Sequence, residues 1–162
     1  MPPRRSLGRG ESAPSMIDVC SDANVAYQWF HAEGEDPVQV EASRTLAQLP
    51  ADGAVTLWIL DLTRYEVANA SLLGSAKVSV ERVSTVLDAL AEICPVIDPT
   101  VDELHEAARL AVRHRLTMYD ATYAAVARSR EAELATLDKA LLQAGLGRRP
   151  SEIVELARLE AG

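Results

Sequence analysis

The sequence predicts an α/β fold of the three-layer α/β/α type, with a short parallel sheet of four to five strands covered by helices on both faces. Short strand-like runs alternate with longer segments of helical periodicity. The run over residues 55–59 is apolar except for Thr56, as expected for a strand buried on both sides. The 162 residues, 48% of them hydrophobic, fit one domain with a real core.

Five elements are predicted in the first half of the chain. They are a strand over residues 17–20, helices over 23–30 and 38–49, a strand over 55–59 and a helix over 62–72. The breaks between them contain Gly34, Pro37 and the segment 50–53, and Gly74 ends the third helix. In that helix Leu62, Tyr65, Asn69 and Leu72 fall on one face.

The second half continues the alternation. The pattern predicts a helix over 80–90, a strand over 94–97, a helix from 101, an alanine-rich helix behind Thr117 and Asp120, a strand over 134–137 and a helix over 138–144. Thr100 and Glu103 have the spacing of a capping box. The apolar stripe of the helix that follows consists of Val101, Leu104, Ala108 and Val112.

The ends of the chain are predicted to differ from the middle. Residues 1–15 are rich in Pro, Ser, Gly and Arg and predict a disordered lead, so ordered structure is expected to begin after Met16. The lead has no apolar h-region and therefore does not resemble a secretory signal. The domain is predicted over 16–146, with a helical extension over 147–162.

Hydropathy and cysteine content indicate a cytoplasmic protein. No apolar run approaches the roughly 20 residues that span a bilayer. The two cysteines, Cys20 and Cys94, lie beside strand-like runs and are expected to be reduced and buried. A disulfide stays open as an alternative, and two cysteines without paired spacing do not form a zinc site.

The charge is unevenly distributed along the chain. The net charge is −8, which by itself disfavours general binding to nucleic acid. Residues 109–149 hold eight basic and four acidic side chains, a local charge of +4, which leaves −12 for the rest. An ordinary solvated surface explains this equally well. The functional interpretation is a basic face on which Arg109, Arg113 and Arg128 steer an RNA backbone.

Four acids are predicted to meet at one edge of the sheet. Asp22 and Asp138 follow the first and last strands, Asp120 opens the helix before the last strand, and Glu66 lies one turn inside the helix after the second strand. In parallel sheets the chemistry collects beyond the carboxyl ends of the strands. Carboxylates converging from distant segments suit a hard cation such as Mg²⁺.

Each acid also has a purely structural explanation. A carboxylate near a helix N-terminus caps free amides and complements the helix dipole. Three nearby polar residues, Asn24, Asn69 and Thr136, are candidates to orient a carboxylate or a water by hydrogen bonding, and they are equally interpretable as cap or turn residues.

Four local patterns resemble one family in its own order. Ser-Asp-Ala-Asn-Val-Ala over 21–26, Leu-Thr-Arg-Tyr-Glu-Val-Ala-Asn-Ala over 62–70, Leu-Thr-Met-Tyr-Asp-Ala-Thr-Tyr-Ala over 116–124 and Ala-Thr-Leu-Asp-Lys over 135–139 resemble the four motifs of PIN-domain ribonucleases. The second is similar to that of many VapC-type toxins of toxin–antitoxin pairs. Each pattern alone is weak, but their order across the chain is specific.

The resemblance implies a metal-dependent endoribonuclease that uses Mg²⁺ or Mn²⁺. It implies that Asp22 and Asp120 ligate the metal directly, and that Glu66 and Asp138 act through water or hold a second ion. It also implies an RNA substrate, a homodimer and a cognate antitoxin. The family pattern would place a fifth strand near the C-terminus, whereas residues 151–160 have helical periodicity.

Two other interpretations stay open. A PIN-like fold could serve as a binding or scaffold module without catalysis. A phosphotransfer receiver domain also places acids at strand ends, but it needs an acceptor Asp after the third strand and a Lys at the end of a late strand. Asp98 precedes a proline and a capping box, and Lys139 follows Asp138 into a helix.

Overall fold

The structure, a computed structural model, describes residues 16–32, 34, 36–75 and 77–162. The predicted disordered lead, residues 1–15, lies outside the described residues. The strands are β1 Ile17–Ser21, β2 Val55–Leu60, β3 Val96–Ile97 and β4 Glu133–Ala135. The helices are α1 Ala23–Phe30, α2 Pro37–Gln48, α3 Asp61–Leu73, α4 Val80–Ile93, α5 Val101–His114, α6 Met118–Ser129, α7 Lys139–Gln143 and α8 Pro150–Ala161.

The four strands form one parallel sheet in the order β3-β2-β1-β4. The predicted parallel α/β architecture is therefore confirmed. Where a fifth strand would lie, Arg148 makes a single parallel bridge with Ala135, and the chain then turns into α8. The helix predicted over 151–160 is thus present, and the sheet edge is extended by one residue.

Helices cover both faces of the sheet. Successive strand residues point to opposite faces, so neighbouring residues of one strand belong to different cores. Val19 and Ile59 belong to the core on one face, together with Val67 of α3 and Ile153 of α8. Cys20 and Leu60 belong to the core on the other face, which α5 and α6 cover. Helix α8 therefore packs into the main core rather than standing apart from it.

The face of α3 that carries Leu62, Tyr65, Asn69 and Leu72 is mostly exposed. Tyr65, Asn69 and Leu72 are exposed, and the buried face is formed instead by Thr63, Val67 and Ser71. A polar inner face is stable here because its hydroxyls have partners: Ser71 Oγ, for example, lies 3.0 Å from Nε2 of buried His31.

The apolar stripe of α5 faces solvent. Val101 and Val112 are 67% and 84% exposed, and Ala108 is also exposed. The buried side holds Ala107 and Leu110, which pack against the alanine-rich helix α6. Small side chains allow these two helices to approach closely, so the smaller apolar face is the one that packs.

Two bulk predictions can be compared with the structure. Among the described residues, no helix is both long and apolar enough to cross a bilayer. Cys20 and Cys94 are both buried and free of any disulfide, as predicted. Burial raises the pKa of the Cys94 thiol to about 12, so this thiol stays protonated at neutral pH.

Candidate active site

Asp22 lies where the central strand ends. It directly follows β1, and its amide donates to the carbonyl oxygen of Ala135 at the end of β4, with an N···O distance of 3.1 Å. This bond joins the ends of two adjacent parallel strands. The carboxyl edge of the sheet therefore positions Asp22 through the main chain.

The carboxylate of Asp22 is held by two donors. One oxygen accepts a 3.0 Å hydrogen bond from the amide of Val25 and so caps α1. The other accepts from the hydroxyl of Thr136, which also accepts a 3.0 Å hydrogen bond from the amide of Asp138. Thr136 is fully buried and links two of the predicted acids.

Burial makes the negative charge of Asp22 costly. The residue is 4% exposed, and desolvation raises the pKa of its carboxyl to about 7, although the hydrogen bonds from Thr136 and Val25 act to lower it. The negative charges of Glu66 and Asp138 raise it further. A nearby cation would relieve all three unfavourable contributions.

A chain of hydrogen bonds reaches Glu66 from the end of β2. The amide of Leu60 donates to Thr63 Oγ1, which lies 2.8 Å from the hydroxyl of Tyr123. That hydroxyl donates to Glu66 Oε2 over 3.2 Å. Because Tyr123 donates its proton to Glu66, Thr63 is the donor in the intervening bond. Partial burial, and then the charge of Asp120, raise the pKa of Glu66.

Asp120 and Asp138 open helices at the same edge of the sheet. Asp120 lies in the first turn of α6, where its carboxylate accepts a 2.9 Å hydrogen bond from the Thr117 hydroxyl. Asp138 caps α7 by accepting from the Leu141 amide over 2.9 Å. Both side chains are partly exposed and can be reached from solvent.

The four acids form one electrostatic group. Glu66 and Asp138 act on the titration of Asp22, and Asp120 acts on that of Glu66. Within the described part of the chain, no three His, Cys, Asp or Glu side chains are gathered closely enough to form a ready-made metal cage. The donor set is nonetheless all carboxylate oxygen, which fits a hard divalent cation that keeps several of its waters.

The accessory residues are placed differently from one another. Thr136 contacts Asp22 directly, whereas Asn24 and Asn69 are exposed. Arg109 pairs with Glu106 on the outer face of α5, with an N···O distance of 3.0 Å. Arg113 is exposed on the same helix, and Arg128 lies near the C-terminus of α6, the end opposite Asp120.

Two hydroxyl groups of the site were not predicted. Thr63 precedes Glu66 by three residues, and Tyr123 follows Asp120 by three, so each lies one turn from an acid on the same helix. This spacing is a usable signal. The sequence does not show that the two hydroxyls meet each other, since α3 and α6 are distant along the chain.

A sequence comparison decides the family. The PIN domain matches residues 19–146, which contain all four acids. The chain belongs to the PIN domain family. The receiver-domain interpretation is therefore wrong, and Asp98 and Lys139 have no phosphotransfer role to explain.

Three solved structures show the same fold. PAE2754 of Pyrobaculum aerophilum is 28% identical, with a TM-score of 0.61, and the match covers 93% of this chain and 100% of that one. The sarcin–ricin-loop-cleaving toxin VapC20 of Mycobacterium tuberculosis is 15% identical (TM-score 0.60; 78% and 95% covered). VapBC2 of Rickettsia felis, bound to a DNA fragment of its promoter, is 14% identical (TM-score 0.61; 81% and 96% covered). A search of curated proteins gives no match.

Two cavities of this PIN domain differ in where they lie relative to the four acids. One of about 550 Å³ lies beside the acids and is lined by Asn24, Leu137 and Lys139, among others. A larger one of about 720 Å³ runs along the outer face of α5, and none of the four acids lines it. None of the four acids lines the smaller cavity either, but Asn24, Leu137 and Lys139 lie within two residues of Asp22 or Asp138 in the sequence, so it is the cavity near the acids.

Proposed function

We propose that this PIN domain is a Mg²⁺-dependent endoribonuclease, the toxin of a toxin–antitoxin pair. The observation that carries the proposal is a buried carboxylate, Asp22, grouped with three other acids at the carboxyl edge of a parallel sheet. A fold that served only its own stability would gain little from this arrangement, because uncompensated buried charge is destabilising.

The four acids would have different roles in binding the cation. Asp22 and Asp120 would bind Mg²⁺ directly, and Glu66 and Asp138 would act through water or hold a second ion. Bound Mg²⁺, or Mn²⁺, supplies Lewis acidity that activates water and offsets charge on the phosphate. Thr136 keeps one Asp22 oxygen fixed, and Tyr123 does the same for Glu66. In-line attack by water leaves a 5′-phosphate and a 3′-hydroxyl.

The proposed substrate and partners rest on the structural relatives. VapC20 cleaves the sarcin–ricin loop, an RNA, and VapBC2 is a complex that binds its own promoter. By analogy this chain would cleave RNA and bind a cognate antitoxin; the motif resemblance, not these relatives, is the reason to propose a homodimer that acts in the cytoplasm. The exposed stripe of α5, which includes Val101 and Val112, offers apolar area for a protein contact.

Cleavage of RNA by the purified chain tests the proposal. Activity is expected with Mg²⁺ and none with EDTA. Asp22→Asn and Asp120→Asn should each lose more than about 100-fold, because removing even an outer partner of a metal ligand costs about 10–100-fold. Asp88→Asn, an exposed acid on α4, is the matched control. Undiminished cleavage by both site variants would overturn the proposal.

A scaffold without catalysis is the second candidate. It is favoured by one observation: Asp22 and Asp138 both cap helices and so have a structural use without any metal. The two candidates differ in metal binding. Calorimetric titration with Mn²⁺ should show a binding isotherm that Asp120→Asn abolishes if the chain is a nuclease, and no isotherm if it is a scaffold.

A further inference from the structure

The cavity near the acids is an open cleft lined by residues of three helices and by cap and loop residues beside them. Its walls come from α1, α2, α7 and the N-cap residue of α8, and its volume is about 550 Å³. Asn24 on the wall follows Asp22 by two residues, and Leu137 and Lys139 flank Asp138. A molecule in this cavity would thus lie next to the proposed metal site. The volume is within the range of pockets that enclose small organic ligands.

Two cations at this cavity have no acidic partner. Lys139 and Arg149 are exposed, and neither forms an ion pair with any residue that the structure describes. By contrast, Arg130 and Arg148 are paired with Glu103 and Glu133. The unpaired cations are therefore available to an external anion.

One acidic residue among those that the structure describes lines the cavity, and it has a structural role. Asp36 lies on the rim, and its carboxylate caps α2 by accepting a 2.9 Å hydrogen bond from the amide of Val38. With Lys139 and Arg149 this leaves a net positive lining, in a chain whose net charge is −8. The lining itself therefore favours an anionic ligand, whereas the carboxylates beside the cavity oppose one until a cation neutralises them.

The walls are fixed by buried amides. Gln39 donates to Ser151 Oγ over 2.8 Å and accepts from the Ser151 amide over 3.2 Å, which joins α2 to α8. Gln28 accepts a 2.7 Å hydrogen bond from Ser43. Both glutamines are more than nine-tenths buried. A cavity held in shape in this way loses little freedom when it binds a ligand.

We infer that this cavity is a nucleotide subsite for single-stranded RNA. Tyr27, Leu137 and Leu142 provide a wall for one nucleobase, while Lys139 and Arg149 contact the phosphates on either side of it. A base within a duplex is stacked and paired and cannot enter, whereas an unstacked base in a loop can. This subsite deepens the proposed nuclease function and rests on it.

Binding of a short RNA without metal tests the subsite. The probe is a fluorescein-labelled single-stranded hexaribonucleotide, followed by fluorescence anisotropy in EDTA over a range of NaCl. Lys139→Glu and Arg149→Glu should each weaken binding about tenfold and lower the salt slope by about 0.7, the value for one phosphate contact with a single strand. Arg149→Gln should show a smaller loss in the same direction. Arg158→Glu, at the other end of α8, should bind within about twofold of wild type.

Several results would overturn the inference. They are no binding by wild type, undiminished binding by the Lys139 and Arg149 variants, an equal loss in Arg158→Glu, or equal affinity for the same sequence annealed into a duplex. Thermal melts verify that each variant is folded. The proposed nuclease function fails separately, through undiminished cleavage by both Asp22→Asn and Asp120→Asn in Mg²⁺, an outcome on which the metal-free binding measurement does not depend.

Discussion

Replacing Asp22 with Asn should stabilise the metal-free chain at alkaline pH. In the folded chain burial raises the pKa of Asp22 to about 7, from 3.8 in the unfolded chain. Because the folded state holds its proton more tightly, this group contributes stability that is fully present below the unfolded pKa. That contribution is lost as pH rises through about 7. Asparagine mimics the protonated acid and has no such dependence.

The size of the effect follows from the two pKa values. At about 1.4 kcal/mol per pH unit, full ionisation of Asp22 costs the metal-free fold about 4 kcal/mol. Asparagine keeps an acceptor for the Val25 amide but no longer accepts well from the Thr136 hydroxyl, a loss of about 1–2 kcal/mol. The variant should therefore exceed wild type by about 2–3 kcal/mol at pH 8.5.

Urea denaturation in EDTA between pH 5 and pH 8.5 measures this difference. The two curves should diverge between pH 5 and about pH 7 and then stay a constant distance apart, and subtraction removes the titration of groups that do not interact with Asp22. Added Mg²⁺ should then restore wild type and leave Asp22→Asn unchanged, because a ligand that binds the folded state alone stabilises it. Curves that stay parallel between pH 5 and pH 7, or a variant less stable than wild type at pH 8.5, would refute the argument that burial dominates at Asp22.

Three further substitutions probe the groups around the acids. Tyr123→Phe removes the hydroxyl that holds the α3 carboxylate and should lower Mn²⁺ affinity about tenfold in calorimetry, while Tyr119→Phe, an exposed neighbour, changes nothing. Gly147→Ala places a Cβ about 2.5 Å from the buried methyl of Thr136; we expect a loss of about 1–3 kcal/mol in urea denaturation together with weaker Mn²⁺ binding. Glu103→Gln breaks the ion pair that joins α5 to the end of α6. It should lower the free energy of unfolding by about 2 kcal/mol at pH 7, a difference that shrinks in acid as the wild-type carboxylate protonates.

The strands could be predicted because they are short apolar runs between clear breaks. The helix α1, Ala23–Phe30, was predicted with the observed bounds, and β1 and β2 each extend one residue beyond the prediction. The third strand is shorter than predicted, because Cys94 ends α4 instead of beginning β3. A strand ends where its hydrogen bonding to the neighbouring strand ends, and a local sequence pattern does not contain that information.

The packing faces of α3 and α5 could not be predicted from apolar residues. Helix α3 turns Thr63 and Ser71 inward, since it lies over the acidic site and over buried His31. Helix α5 turns Ala107 inward against the alanines of α6, which leaves Val112 outside. Hydrophobicity ranks valine above alanine, but close helix packing prefers the smaller side chain.

Asp22 and Asp138 could be located from their places after strands, but the groups around them could not. Lys139 and Arg149 become neighbours of one cavity because α8 docks on α2 through Gln39 and Ser151. That docking joins segments more than a hundred residues apart. No spacing in the sequence predicts this contact between α2 and α8.

Helix capping and metal binding, which compete as explanations in the sequence, are compatible in the structure. A carboxylate oxygen has more than one acceptor direction, so an oxygen that takes an amide proton can still face a cation. Asp138 gives one oxygen to the Leu141 amide and leaves the other open, and Asp120 accepts from Thr117 through one oxygen. The hydrogen bonds of the cap therefore hold in position the carboxylate that would bind a metal. Asparagine retains an oxygen for the cap and lacks the charge, so it is the substitution that separates the two roles.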